Sequence, residues 1–185
     1  MKRIFFTMVF AVAALMSGQA ENFSGWHGID EVTIEQHVDA AACNMYVVAQ
    51  SKAQMKNQNQ VKKQQAALDE LGETVVSELR RAFPHASIQL ITDAKDAPAD
   101  ALLIEACLEE IDWGSGALRQ VVGMGAGNIS GIYSAKVSNA NGLVCSFRNR
   151  RFHDTTFSSA KGAAVIKVYN KALAKDVAVA LEALK

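Results

Sequence analysis

Residues 101–152 read ALLIEACLEEIDWGSGALRQVVGMGAGNISGIYSAKVSNANGLVCSFRNRRF, and the fold is decided there. The first part, Ala101–Trp113, alternates. Leu102, Ile104, Ala106 and Leu108 project to one side, and Glu105, Cys107 and Glu109 to the other. Successive side chains of a strand point to opposite faces. This is therefore a strand with one face in a core and one acid-bearing face outside, as in a sheet covered on one side only.

The last part is a hairpin whose register can be derived. A three-residue loop, Ala140-Asn141-Gly142, with Gly142 in the left-handed region, pairs Asn139 with Leu143, Val137 with Cys145, Ala135 with Phe147 and Tyr133 with Asn149. Those pairs make a largely apolar face. The opposite face then pairs Lys136 with Ser146, Ser134 with Arg148 and Ile132 with Arg150. A two-residue Asn-Gly turn would set Val137 opposite Ser146 and mix the faces. Lys136, Arg148 and Arg150 thus share one side, across from Glu105 and Glu109 if the long strand is adjacent. That side reads either as a solvated face with cross-strand ion pairs or as a surface for an anionic ligand or partner.

Between strand and hairpin lies a glycine-rich loop with Arg119 and Gly123-Met124-Gly125-Ala126-Gly127-Asn128. A dinucleotide fingerprint would need a third glycine where Asn128 stands and a helix after it. ISGIYSAKVS follows instead and is rich in strand formers. The Gly-Lys-Ser/Thr of a phosphate loop is absent as well. The glycines are read as bends between strands, with Met124 and its neighbours packing or forming an apolar docking edge.

The flanks look like cover for this sheet. Ile29–Val38 alternates weakly and suits an edge strand or lead-in, and Cys43–Gln50 is a better strand. Val61–Phe83 carries Leu68, Leu71, Val75, Leu79 and Phe83 at helical spacing and is stopped by Pro84. Gly72 inside it points to a close packing contact. Ser87–Thr92 is a short strand. Ala163–Leu184, with a stripe of Ile166, Tyr169, Leu173, Val177, Leu181 and Leu184, is a second long helix, capped by Ser158 or Ser159. The expected fold is α/β of the α+β type. It has a mainly antiparallel sheet of about five strands and two long helices packed on one face.

The chain has 185 residues, half of them hydrophobic. Residues 21–185 make one domain. Residues 1–20 stand apart: Lys2 and Arg3, an apolar run from Ile4 to Met16, then Ser17-Gly18-Gln19-Ala20. That is the pattern of a signal peptide cut after Ala20, and the apolar run is short of the roughly 20 residues that span a bilayer. The expected location is periplasmic or secreted, with no transmembrane segment after cleavage. Without Lys2 and Arg3, 17 basic residues face 19 acidic ones, a formal charge of −2. No nucleic-acid partner is expected at such a balance. Cys43, Cys107 and Cys145 fit three buried small hydrophobes or one disulfide with a spare thiol. The four histidines, His27, His37, His85 and His153, lack metal-ligand spacing, so no metal and no cofactor are expected.

Residues 101–152 also resemble a known family. The aliphatic strand ALLIEACLEEID, Gly114, Arg119, Gly123-Met124-Gly125-Ala126-Gly127, and the turn from Asn139 to Gly142 are similar to a group of uncharacterised bacterial envelope proteins. Many of them are lipoproteins. It is the domain-of-unknown-function family numbered four thousand four hundred and ten. Two departures stand out: Asn139 replaces the expected Asp, and no lipid-bearing cysteine follows the signal. The resemblance implies an envelope location and this fold, but no reaction.

The expected function is non-enzymatic: a binding or assembly accessory domain working with other envelope proteins. Its candidate surfaces are a sheet edge, the loop residues Arg119, Gly123, Met124, Gly125 and Gly127, and the basic face of Lys136, Arg148 and Arg150. The alternative is a small-ligand or anion binder using the same loop and face. A hydrolase is a third reading, for which no Ser-His-acid arrangement can be located.

Overall fold

The computed structural model describes residues 31–54, 61–113, 129–153 and 162–184. The signal-like segment, the glycine-rich loop with Arg119, Gly123, Met124, Gly125 and Gly127, and the Ser158/Ser159 cap lie outside the described residues.

The elements run β1 (Glu31–Ile34), β2 (Met45–Ser51), α1 (Val61–Asp69), α2 (Leu71–Ala82), β3 (Ile88–Leu90), β4 (Leu102–Asp112), β5 (Ile129–Asn139), β6 (Gly142–His153) and α3 (Gly162–Glu182). Among the described residues, six strands form one sheet in the order β1-β6-β5-β4-β2-β3. The sheet is mixed. β2 runs parallel to both β3 and β4, and β4–β5, β5–β6 and β6–β1 are antiparallel. The expected sheet of about five mainly antiparallel strands holds in part: three of the five described pairings are antiparallel, but the two made by β2 are parallel and there is a sixth strand. β2 reaches β3 through the helix, a crossover that makes the pair parallel. The stretch from Ile91 to Ala101 then returns the chain to β2's other side for β4.

The hairpin register holds at Val137↔Cys145, Ala135↔Phe147, Tyr133↔Asn149, Lys136↔Ser146, Ser134↔Arg148 and Ile132↔Arg150. It fails at the tip, where Asn139 pairs with Gly142 rather than Leu143. The turn is the short one, and Val144 is bulged out of the ladder. The bulge restores the alternation that a two-residue turn alone would have broken. Gly142 has φ 110, a left-handed value that favours glycine. Asn139 Oδ1 accepts from the N–H of Asn141 at 2.8 Å, and its Nδ2 donates to Gln36 Oε1 at 3.1 Å. An Asp here could make the first bond but not the second, which gives Asn139 a local reason.

A second bulge sits at Glu109, between Leu108 and Glu110. It sends Glu110 outward and brings Ile111 into the core.

The helices cover one face. Ile166, Tyr169, Leu173, Val177, Leu181 and Leu184 are all buried, as are Leu68, Leu71, Val75, Leu79 and Phe83. α3 packs against α1 and α2, and across β4, β5 and β6. The first helix is divided at Glu70. Asn170 of α3 donates to the carbonyl of Ala67 at 2.6 Å, beside the division. A side chain inserted into the helical hydrogen-bond ladder is a common origin of such a break. A Cβ on Gly72 would lie 2.6 Å from Leu90 Cδ1, the close contact that the sequence implied.

Candidate interaction surface

The face of the sheet turned away from the helices carries the charges. Lys136 Nζ on β5 lies 3.6 Å from Glu105 Oε2 on β4. Arg148 Nε on β6 donates to Glu109 Oε2 on β4 at 2.9 Å, reaching across small Ser134 on the intervening strand. The bulge at Glu109 brings its carboxylate into this position. Burial pushes the Glu109 carboxyl up. Hydrogen bonds from Ser134 and Arg148, with the charges of Arg148 and Lys52, outweigh it and hold the group below its usual range.

Of the sequence-derived site residues, Lys136, Arg148 and Arg150 do share this face. Two of the three have carboxylates beside them, so the face is a lattice of alternating charges rather than a basic patch. Arg150 is exposed. Phe152, two residues on and on the same face, is 44% exposed, although its β5 partner Ser130 is buried. The loop residues Arg119, Gly123, Met124, Gly125 and Gly127 lie outside the described residues.

The sheet's two margins differ. At β3, Met45 N donates to Ser87 O, so the carbonyl of Ile88 faces outward, and Arg80 Nη2 donates to it at 2.9 Å. A guanidinium across a three-residue edge strand obstructs pairing by another chain. At the other margin the described part of β1 pairs with β6 from Ile34↔Cys145 to Glu31↔Arg148.

Under α3 lies a polar cluster that the sequence reading missed. Arg151 of β6 and Asp176 of α3 are 1% and 5% exposed. Arg151 Nη2 donates to Asp176 Oδ1 at 3.1 Å and Oδ2 at 2.9 Å. Its Nε donates to the hydroxyl of Tyr133 at 2.9 Å. That hydroxyl and the Nδ2 of Asn149 each donate to Asp176 Oδ2 at 2.6 Å. Burial alone would lower the Arg151 pKa, but the charge of Asp176 and the bonds around it hold the guanidinium protonated. Burial raises the Tyr133 phenol far above its ordinary value, with Asp176 adding to the shift, so it stays a donor. The cluster joins β5, β6 and α3. It is closed to solvent and so serves the fold rather than a ligand. The parity of the hairpin was the available signal: Arg151 shares the core side of Cys145, Phe147 and Asn149.

The remaining polar groups converge less. His37, Val38, Asp39, Ala41 and Leu184 line one shallow, open depression, where His37 Nδ1 is 3.3 Å from the carbonyl of Leu184. Among the described residues, no His, Cys, Asp and Glu side chains group in a way that could hold a metal ion. The three cysteines are free thiols. Cys107 sits on the outer face, and Cys145 lies buried on the core face, where burial pushes its thiol up to about 12.

Several solved structures are similar in backbone course. PelC from Paraburkholderia phytofirmans, a dodecamer, is 13% identical with a TM-score of 0.48, over 79% of this chain and 97% of that one. A neuraminyllactose-binding hemagglutinin homolog from Helicobacter pylori is 15% identical with a TM-score of 0.48, over 83% and 89%. A DUF330 protein from Xanthomonas campestris is 15% identical with a TM-score of 0.45, over 82% and 96%. No curated protein matches the chain. A family model matches residues 34–175, from the end of β1 well into α3, and the chain therefore belongs to the family described as Domain of unknown function (DUF4410).

Proposed function

We propose that the chain is an exported, non-enzymatic binding or assembly accessory domain of the cell envelope. One observation carries the reading. A sheet with antiparallel pairings can leave one face to solvent, and the described helices cover only one face of this one. The other face presents the part-exposed charges of Glu105, Lys136, Glu109 and Arg148, which suit it to receiving a second molecule. The basic start, short apolar run and small residues of positions 1–20 support export.

The charge lattice favours a macromolecular partner over a free anion. Lys136 and Arg148 are each answered by a carboxylate, so an incoming anion would have to displace Glu105 or Glu109. An alternating lattice instead gives orientation and selectivity against a complementary surface.

The test is photo-crosslinking in intact cells. A photoreactive phenylalanine analogue is placed, in separate variants, at Ser134 and at Ser146 on the outer face and at exposed Lys63 on α1 as a control. The reading expects a discrete adduct from the sheet positions and none from Lys63. Identical adduct patterns at all three positions, or none from any, would overturn it.

A further inference from the structure

Gln64 of α1 and Asn170 of α3 are each 1% exposed. Gln64 Oε1 and Asn170 Oδ1 lie buried and accept no hydrogen bond among the described residues. A buried oxygen without a donor costs free energy that contact with water restores. The apolar hold on α1 is small. Its buried side chains besides Gln64 are those of Ala67 and Leu68, whereas α2 buries Leu71, Val75, Val76 and Leu79 and packs on β2 and β3. The backbone between the two helices is already parted. The N–H of Glu70 donates to the Ala66 carbonyl at 3.1 Å, and the ladder resumes with the N–H of Thr74 on the Glu70 carbonyl at 2.9 Å. In between, the Ala67 carbonyl takes Asn170 Nδ2 at 2.6 Å. A carbonyl held from outside is a ladder step that the helix recovers once its neighbour leaves.

We infer that α1 is an arm that undocks from α3 as a unit, turning about Glu70, and that Asn170 is its latch. In the docked state Asn170 holds the Ala67 carbonyl, Ala67 and Leu68 are buried, and Lys167 Nζ lies 2.8 Å from Glu70 Oε2. In the undocked state water reaches Gln64 and Asn170. The N–H of Leu71 closes on the freed Ala67 carbonyl, and α1 and α2 become one helix. Undocking thus exchanges a small apolar contact and one latch bond for two hydrated amides and a recovered ladder step. Opposing terms of similar size leave both states populated. Segments that open short of global unfolding are those with little buried apolar surface. α2, α3 and the sheet keep their packing throughout. The inference stands apart from the binding reading above, which concerns the other face of the sheet.

The test is hydrogen exchange of the full chain under native conditions, read by mass spectrometry. The amides of 65–70 should exchange together, at least about tenfold faster than those of 75–82 and 170–181. Gln64→Leu removes a buried oxygen and keeps the bulk of the side chain. It should slow exchange of 65–70 by about tenfold and leave 75–82 unchanged. Asn170→Asp removes the latch's donor and sets a carboxylate against the Ala67 carbonyl. It should strip protection from 65–70 alone, because the undocked state hydrates the new charge. Spin labels on ketone-bearing residues at exposed Lys63 and Lys171 give the second readout. Gln64→Leu should show one distance, and Asn170→Asp a longer one. Equal protection of the three segments, faster exchange in Gln64→Leu, or a loss in Asn170→Asp spread evenly over all three overturns the proposal. So does the same distance distribution in both variants.

Discussion

Arg151 and Asp176 meet 25 residues apart in sequence, with their side chains 1% and 4% exposed and Nη2 2.9 Å from Oδ2. Neither charge could be withdrawn from water alone. Replacing Asp176 with Ala leaves a buried guanidinium uncompensated and should cost about 3–5 kcal/mol in denaturant unfolding. The paired change Arg151→Met with Asp176→Leu removes both charges and should recover most of that loss. A double variant no more stable than Asp176→Ala would show that the hydroxyl of Tyr133 and the amide of Asn149 need the carboxylate.

Part of this was legible in the sequence. The alternation of Leu102, Ile104, Ala106 and Leu108 located β4's core face, and the matched faces of 132–137 and 145–150 gave the hairpin register. Both broke at bulges. At Leu108-Glu109-Glu110-Ile111 the alternation slips by one, which is a visible sign of a bulge. At Val144 nothing in the sequence distinguishes a short turn plus bulge from a longer loop. The parallel pairings depend on where the stretch from Ile91 to Ala101 leads the chain, a long-range matter that local pattern does not encode. Asp176 was overlooked because the apolar stripe was read without it. It sits three residues after Leu173 and seven after Tyr169, on the same side of the helix. A core-side arginine on the hairpin and a core-side aspartate on the closing helix were thus both available to be paired.

Gly131 and Gly72 should answer differently to alanine. A Cβ on Gly131 would stand 2.7 Å from two ring carbons of Tyr169, which is itself fixed by its hydroxyl's bond to the carbonyl of Ile129 at 3.1 Å. Gly131→Ala should destabilise by about 1–3 kcal/mol. A Cβ on Gly72 would meet the end of Leu90, a flexible side chain 40% exposed, and would stand 3.3 Å from the Cβ of Ala49, where a shift of a few tenths of an ångström relieves the contact. Gly72→Ala gains up to about 1 kcal/mol of helix propensity and should be neutral or stabilising. Thermal melts of the two variants decide it, and an equal loss in both would contradict the distinction.

The Glu109–Arg148 pair gives a signed pH dependence. The Glu109 carboxyl is held below its usual range in the folded chain, so its contribution is full above the unfolded value of about 4.3. That contribution is lost as pH falls through the lower folded value. Because both side chains are partly exposed, it should not exceed about 1 kcal/mol. Stability curves of wild type and Arg148→Gln should therefore differ near neutral pH and converge in acid, with the gap shrinking as salt is added. A gap that persisted at strongly acid pH would assign the loss to packing of the arginine stem.

The three thiols should separate kinetically. Cys145 is 2% exposed and has its thiol raised to about 12, so alkylation by iodoacetamide at neutral pH should wait for global unfolding. Burial also raises Cys107 and Cys43, but each is only half-buried and should be modified in the native state. Mass spectrometry after a short pulse should find label on the latter two alone. Early label on Cys145 would mean that the β6 end of the core opens far below the denaturation midpoint.

Arg80 supplies the last expectation. Its guanidinium donates to the outward carbonyl of Ile88, beside the exposed side chain of Leu90. Arg80→Ala uncovers that carbonyl and removes the charge that repels an approaching strand, leaving the edge of Ile88, Gln89 and Leu90 unguarded. Loss of one hydrogen bond to a charged donor costs only about 1.5–3 kcal/mol, so the fold should survive. Sedimentation velocity should show larger species for Arg80→Ala than for wild type at equal concentration, and Arg80→Lys, which keeps the charge at the edge, should lie between them. If all three sediment alike, the brevity of β3 protects the margin without help. Arg80 would then matter only for joining the end of α2 to the strand that follows it.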